Sequence, residues 1–300
     1  MKLKDSYIPL LLLMTILFGL TFISVKAALQ GLGVFQLVFG RYAIAFLALT
    51  LIFRKNLRRF RLERRDWKYF LLLTAVEPVG YFIFETYGLR YTSPAGASLI
   101  IAAIPIFSLI FAGFILNEKP AWPGIAGVMI CFAGVYFIVR LQETNALAPA
   151  PLLGNSLVLL AAMSAGFYNC FARKLSFNHA PLTITYYQTL VGAAVFLPLA
   201  LGEYFRGDSF DLNWAIAGHV LYLALGGSVL AYFLLNYALS RLEAAKVAVF
   251  SNLIPVVTIA ASYLFFGEVL QPMQFVGAAL VIGGIYLTYV PRARGVKRNA

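Results

Sequence analysis

Glu77, Tyr81 and Glu85 stand four residues apart in otherwise apolar text, and they are the strongest chemical signal in this sequence. Helical spacing puts all three on one face. Two bases, Lys26 and Arg41, interrupt neighbouring apolar stretches. Left unpaired at a helix centre in a membrane, each charge would cost about 2.5–3.5 kcal/mol, so pairing or a water-filled cavity is expected. Counting along ideal helices puts Glu77 roughly 16 Å below the outer boundary, Arg41 about 11 Å, and Glu85 and Lys26 about 5 Å. One reading is two buried ion pairs that hold helices together, with Lys26 and Glu85 as the shallow pair. The other is a site in which Arg41 grips a substrate carboxylate through its planar fork, while Glu77 binds an amine or carries a proton.

A second set of groups is neutral. Ser228, Tyr232 and Asn236 repeat the four-residue spacing, and Tyr168, Asn169, Tyr186, Tyr187 and Gln188 add donors and acceptors. A cavity between such faces, with Phe22, Tyr81 and Phe84 nearby, would suit a small zwitterion with an apolar side chain. The same groups could equally serve as interhelical hydrogen-bonding glue. Pro105 and Pro255 are expected mid-helix, where each removes a backbone hydrogen bond and kinks its helix. They are the hinge candidates, with Asn252 placed to satisfy a freed group. Glu118 and Glu268 end their helices and read as structural pins or gate elements. Gly127, Cys131 and Gly134 put small residues on one side of a helix, which favours close packing.

Other chemistry finds little support. Cys131 and Cys170 have no second ligand nearby and read as packing residues, not a disulfide or a metal site. His179 and His219 fall near opposite membrane faces, and no HExxH, GxSxG, Gly-rich phosphate loop or Walker sequence occurs. An enzyme or an ATP-driven pump is therefore disfavoured, and no cofactor, metal or nucleic acid is expected.

These residues are carried by membrane-spanning helices. The 300 residues are 61% hydrophobic and 12% charged, with mean hydropathy +0.83, which excludes a soluble globule. Ten apolar segments, long enough to cross ~30 Å of hydrocarbon, are expected at about 7–29, 34–53, 67–88, 95–116 and 123–140, then 153–172, 182–202, 214–238, 245–266 and 273–290. The first resembles a signal peptide with cleavage near Val25-Lys26-Ala27, but its apolar run is too long for one. The loop at 54–68 holds Arg54, Lys55, Arg58, Arg59, Arg61, Arg64, Arg65 and Lys68. A nucleic-acid or anionic-lipid patch is one reading of it; the positive-inside rule alone accounts for it. The net charge of +12 then reports topology.

The chain is a duplication. At an offset of 150 positions Tyr87 falls on Tyr237, Pro105 on Pro255, Glu118 on Glu268, Gly127 on Gly277, Gly134 on Gly284 and Tyr136 on Tyr286; at 147, Gly19 falls on Gly166, Phe39 on Tyr186 and Arg41 on Gln188. With loop 54–68 inside, the Lys/Arg bias puts both termini in the cytoplasm. Trp67, Trp122 and Trp214 sit at helix ends as interfacial anchors. Five spans per copy is an odd number, so the second copy enters the membrane upside down. The expected fold is therefore all-α integral membrane: ten transmembrane helices in two inverted five-helix repeats, 1–146 and 147–300, with the exposed connection LQETNALAPAPL between them. Inverted repeats are typical of alternating-access carriers with a site near the midplane.

The text YTSPAGASLIIAAIPIFSLIFAGFILNEKPAWPGIAGVMICFAGV and its copy from Arg241 to Ile285 resemble the drug/metabolite transporter superfamily, specifically EamA-type exporters with two EamA repeats. Phe18-Gly19 stands where that family commonly has Trp-Gly. The resemblance implies a secondary carrier in the inner (plasma) membrane, exporting amino acids or related small metabolites. Uptake or exchange of another small organic metabolite is the alternative; a channel is the other rival. Oligomeric state is left open. The candidate substrate and coupling residues are Arg41, Glu77, Tyr81, Glu85, Tyr168, Gln188, Tyr232 and Asn236.

Overall fold

The computed structural model describes residues 7–55, 60, 62–115, 122–140, 142–242 and 244–289. Glu118, Lys119 and the basic tail lie outside them, as do Lys2, Lys4, Arg58, Arg59 and Arg61. The fold is all-α. Its first spans are α1 (Ile8–Ala28) and α2 (Val34–Ile52). The third is α3 (Trp67–Thr74), a π-helical segment Ala75–Gly80, and α4 (Tyr81–Tyr91). The fourth is α5 (Pro94–Ile101) with α6 (Ile104–Ile115), and the fifth is α7 (Trp122–Arg140). The second half repeats the plan with α8 (Pro151–Leu175) and α9 (Pro181–Phe205). Then come α10 (Trp214–Tyr222), a π-helical segment Leu223–Ala231 and α11 (Tyr232–Arg241). α12 (Ala244–Phe250), one 3₁₀ turn and α13 (Ile254–Phe266) follow, and α14 (Pro272–Tyr289) closes the order. Among the described residues, six helices are long and apolar enough to cross a membrane.

Local sequence accounts for many of the ends. Prolines open α8 and α9, where a missing N–H costs nothing. The Ser93 hydroxyl accepts from Gly96 N at 3.2 Å to cap α5, and Asn213 accepts from Ile216 N at 3.0 Å to cap α10. Gly267 ends α13 in the left-handed region (φ 64°), where a side chain would be strained.

The duplication extends to the irregularities. Spans three and eight are both interrupted by π-helical segments at matching places. Spans four and nine are both broken just before their prolines. Pro105 and Pro255 therefore do not sit mid-helix as expected. Each lies in the first turn of a second half-helix, where the fixed φ fits and no hydrogen bond is lost. Asn252 Oδ1 has no hydrogen-bond partner, so it does not repair a freed N–H.

Helix contacts establish the inversion. A Cβ on Gly134 would meet Gly277 O and Val281, while one on Gly284 would meet Gly127 O and Cys131. Rising numbers on α7 thus face falling numbers on α14. These are equivalent helices of the two copies, and they run antiparallel. The halves also interlock: α1 packs on α13 and α8 on α6, through matching glycines. Gly19 lies against Val257, and Gly166 against Phe107 and the Ser108 backbone. Thr258 Oγ1 donates to Gly19 O at 2.9 Å, and the Cys170 thiol donates to Ser108 O at 3.1 Å. Both cysteines are buried.

The connection between the halves is less loose than its composition suggests. Gln142 Nε2 donates to Ser93 Oγ at 2.8 Å, and Asn155 Nδ2 donates to Gln142 Oε1 at 2.7 Å. Trp67 and Trp214 each begin a helix and stand exposed, as lipid-interface anchors do.

Candidate functional site

The interruptions converge on one cavity of about 50 Å³. Its wall is built from matching places in the two copies: Ile101 with Ser251 and Ile104 with Ile254 from the two broken spans, Phe18 with Ala165 and Phe22 with Asn169 from α1 and α8. Tyr81 and Tyr232 face it from α4 and α11, beside Glu77, Thr21 and Leu235. A cavity lined by equivalent residues of two inverted copies sits on the axis that relates them.

Glu77 reaches the wall because its backbone leaves the helix (φ −149°, ψ 114°), ahead of Pro78 and a cis peptide bond. The residue before a proline is pushed from helical to extended conformation. Its carboxylate Oε1 accepts the Tyr232 hydroxyl, while buried Oε2 has no partner. Tyr232 in turn meets Phe18 edge-on at 5.3 Å between ring centroids. One copy's acid is thus held by the other copy's tyrosine.

Of the eight candidate residues, Glu77, Tyr81 and Tyr232 line the cavity. Tyr168, Gln188 and Asn236 form a buried cluster behind Tyr232. The Tyr168 hydroxyl donates to Asn236 Oδ1 at 2.6 Å and lies 3.1 Å from Gln188 Oε1. Asn236 Nδ2 donates to Thr185 Oγ1 at 3.1 Å, and Gln188 Nε2 is left without a partner. Tyr186 and Tyr187 pack instead against Phe60 and Trp67.

Arg41 and Glu85 stand off the wall, contrary to the expectation for Arg41. The Arg41 guanidinium, 2% exposed, donates from Nε to Ser228 Oγ at 3.0 Å and from Nη2 towards Leu223 O at 3.5 Å. The Phe82 ring lies 4.4 Å from it. Glu85 accepts the Thr86 hydroxyl at 3.0 Å. The expected ion pairs do not form: among the described residues, no salt bridge joins Lys26 or Arg41 to Glu77 or Glu85. Lys26 instead donates to Leu89 O at 2.7 Å and Thr92 O at 2.9 Å, capping the end of α4. A cation at a helix C-terminus also meets the negative end of its dipole.

Two acids were assigned too little or nothing by sequence reasoning. Glu203 accepts from Phe35 N at 2.9 Å and Gln36 N at 3.0 Å, capping α2 from the opposite repeat. Glu268 accepts from Ala95 N at 3.2 Å and from the Ser262 hydroxyl, which ties α13 to the start of α5. Thr21 and Ser251 on the wall also carried no prior signal beyond a hydroxyl in apolar text.

Two inverted copies of a five-span unit, closed around a cavity on their common axis, define an all-α multi-pass membrane protein. The chain belongs to the EamA-like transporter family, whose model matches residues 5–140 and again 152–290. The resemblance to drug/metabolite transporters therefore holds, and with it the reading as a transporter. An uncharacterized transporter YcxC of Bacillus subtilis is 32% identical, covering 96% of this chain and 94% of its own. A "probable terminal-alkyne amino-acid exporter" of Streptantibioticus cattleyicolor is 29% identical over 97% of this chain and 95% of its own. A "probable amino-acid metabolite efflux pump" of Salmonella typhimurium is 27% identical over 96% and 95%. A crystal structure with 17% identity superposes with TM-score 0.69, covering 98% of this chain and all of that one; it shows the shared fold.

Proposed function

We propose that the protein is a secondary-active exporter of amino acids or related small metabolites, working by alternating access. The observation that carries this is the cavity on the pseudo-twofold axis, walled by both copies at their interrupted helices. Inverted-repeat carriers bind substrate at such midplane breaks. The two exporter-named relatives favour efflux of this substrate class. Glu77 is the candidate coupling group, since it is the wall's ionisable carboxylate and is held from the opposite repeat. Purified protein in liposomes should give saturable counterflow of a labelled substrate. A conductance that neither saturates nor supports counterflow would make it a channel. Overexpression should raise tolerance to a toxic amino acid or dipeptide from a panel; lowered tolerance would mean uptake.

A further inference from the structure

We propose that this cavity selects a compact amine without a free carboxylate: a monocation with an apolar body, in preference to a zwitterionic amino acid. The inference rests on the carrier reading above and specifies its substrate class. Glu77, 2% exposed, gives one oxygen to the Tyr232 hydroxyl and leaves Oε2 without a partner. An open acceptor in a desolvated cavity is matched by an N–H donor. Around it stand Phe18, Phe22, Tyr81 and Tyr232, whose ring faces attract a cation.

The group that would match a substrate carboxylate is not on the wall. Among the described residues lining the cavity none is lysine or arginine. Arg41 directs its donors to Ser228 Oγ and Leu223 O, with Phe82 over the guanidinium. Lys26 is bound to the carbonyls that end α4. Thr21, Asn169 and Ser251 offer only neutral donors. A carboxylate drawn into this space would lose its hydration and gain no opposite charge, while also facing Glu77. A buried charge left unpaired is costly, and an amine or amide of the same side chain avoids that cost.

The test uses full-length protein in liposomes and matched triplets of labelled probes: isoamylamine, leucinamide and leucine, then phenethylamine, phenylalaninamide and phenylalanine. Protein-free vesicles correct for passive leak. The half-saturating concentration for counterflow should be at least about tenfold lower for amine and amide than for the amino acid. Glu77→Gln should bring that ratio close to one by weakening the amine arm, whereas Glu85→Gln, off the wall, should preserve it. Amino acids exchanging as well as their amines in the unmodified protein would overturn the inference and leave the carrier reading standing. So would saturable counterflow of an organic anion or a sugar with none of the six probes. No counterflow of any compound would overturn both.

Discussion

Glu77 and Tyr232 join across the seam between the two repeats, so a change at either should be read in transport before it is read in stability. Tyr232→Phe removes the hydroxyl that the carboxylate accepts, a loss of about 1.5–3 kcal/mol for a hydrogen bond to a charged group. The half-saturating substrate concentration should shift by roughly tenfold or more, with insertion unchanged. Glu77→Gln should abolish proton-driven accumulation yet retain counterflow at higher substrate concentration, since exchange moves no net protons. Normal accumulation by Glu77→Gln would make the pair structural and direct the search to the Tyr168–Asn236 cluster. How far these residues could be read in advance differs among them. The cost of charge in an apolar span singled out Glu77, Arg41 and Lys26 correctly as residues that need partners. It could not say which partners, because the ones that answered Lys26 and part of Arg41 are backbone carbonyls, which have no letter in a sequence. Pro78 did carry a signal: a residue before proline resists helical geometry, so an unbroken face through Glu77, Tyr81 and Glu85 was never available.

Helices here are defined as much by where they break as by where they run. With alanine at Pro105, the new N–H could reach the carbonyl four residues back and fuse α5 to α6; Pro255→Ala would do the same for α12 and α13. Either variant should insert and fold but exchange substrate more slowly in liposomes. Unchanged turnover in both would reduce the breaks to static shape. Close approach supplies a second contrast. A methyl group at Gly166 would stand 2.4 Å from Phe107 Cβ and 2.8 Å from backbone atoms, whereas one at Gly202 meets nothing within 4 Å. Gly166→Ala should lower stability in detergent melts by about 1–3 kcal/mol through overpacking, and Gly202→Ala should be neutral or mildly stabilising. The glycine spacing announced close packing. It could not announce the partner, because in lipid every apolar helix face offers the same text.

At the scale of the molecule, the duplication was legible because Pro, Glu and Gly mark backbone shape and charge, and those marks survive when apolar residues interchange. The interlocking of α1 with α13 and α8 with α6 was not, since it depends on which apolar faces meet. The Lys/Arg bias predicts the orientation. Reporter fusions after Arg65 and after Arg298 should report the cytoplasm, and fusions within Thr144–Pro151 the opposite side. Signals of one sign at all three sites would contradict the odd-span count, however well α7 and α14 run antiparallel.

The repeats match in shape but not in charge. Arg41 answers to Gln188, and where the third span carries Glu77 and Glu85 the equivalent eighth span carries the neutral Ser228 and Asn236. The axis consequently carries a single carboxylate among the described lining residues. Under the proposed proton coupling, one such group would release one proton per turnover, which would set the electrical character of the cycle. A monovalent amine exchanged for one proton moves no net charge, so a potassium diffusion potential across the liposome should leave its proton-coupled flux unchanged. A zwitterion exchanged for one proton moves a whole charge, and its flux would follow the applied voltage.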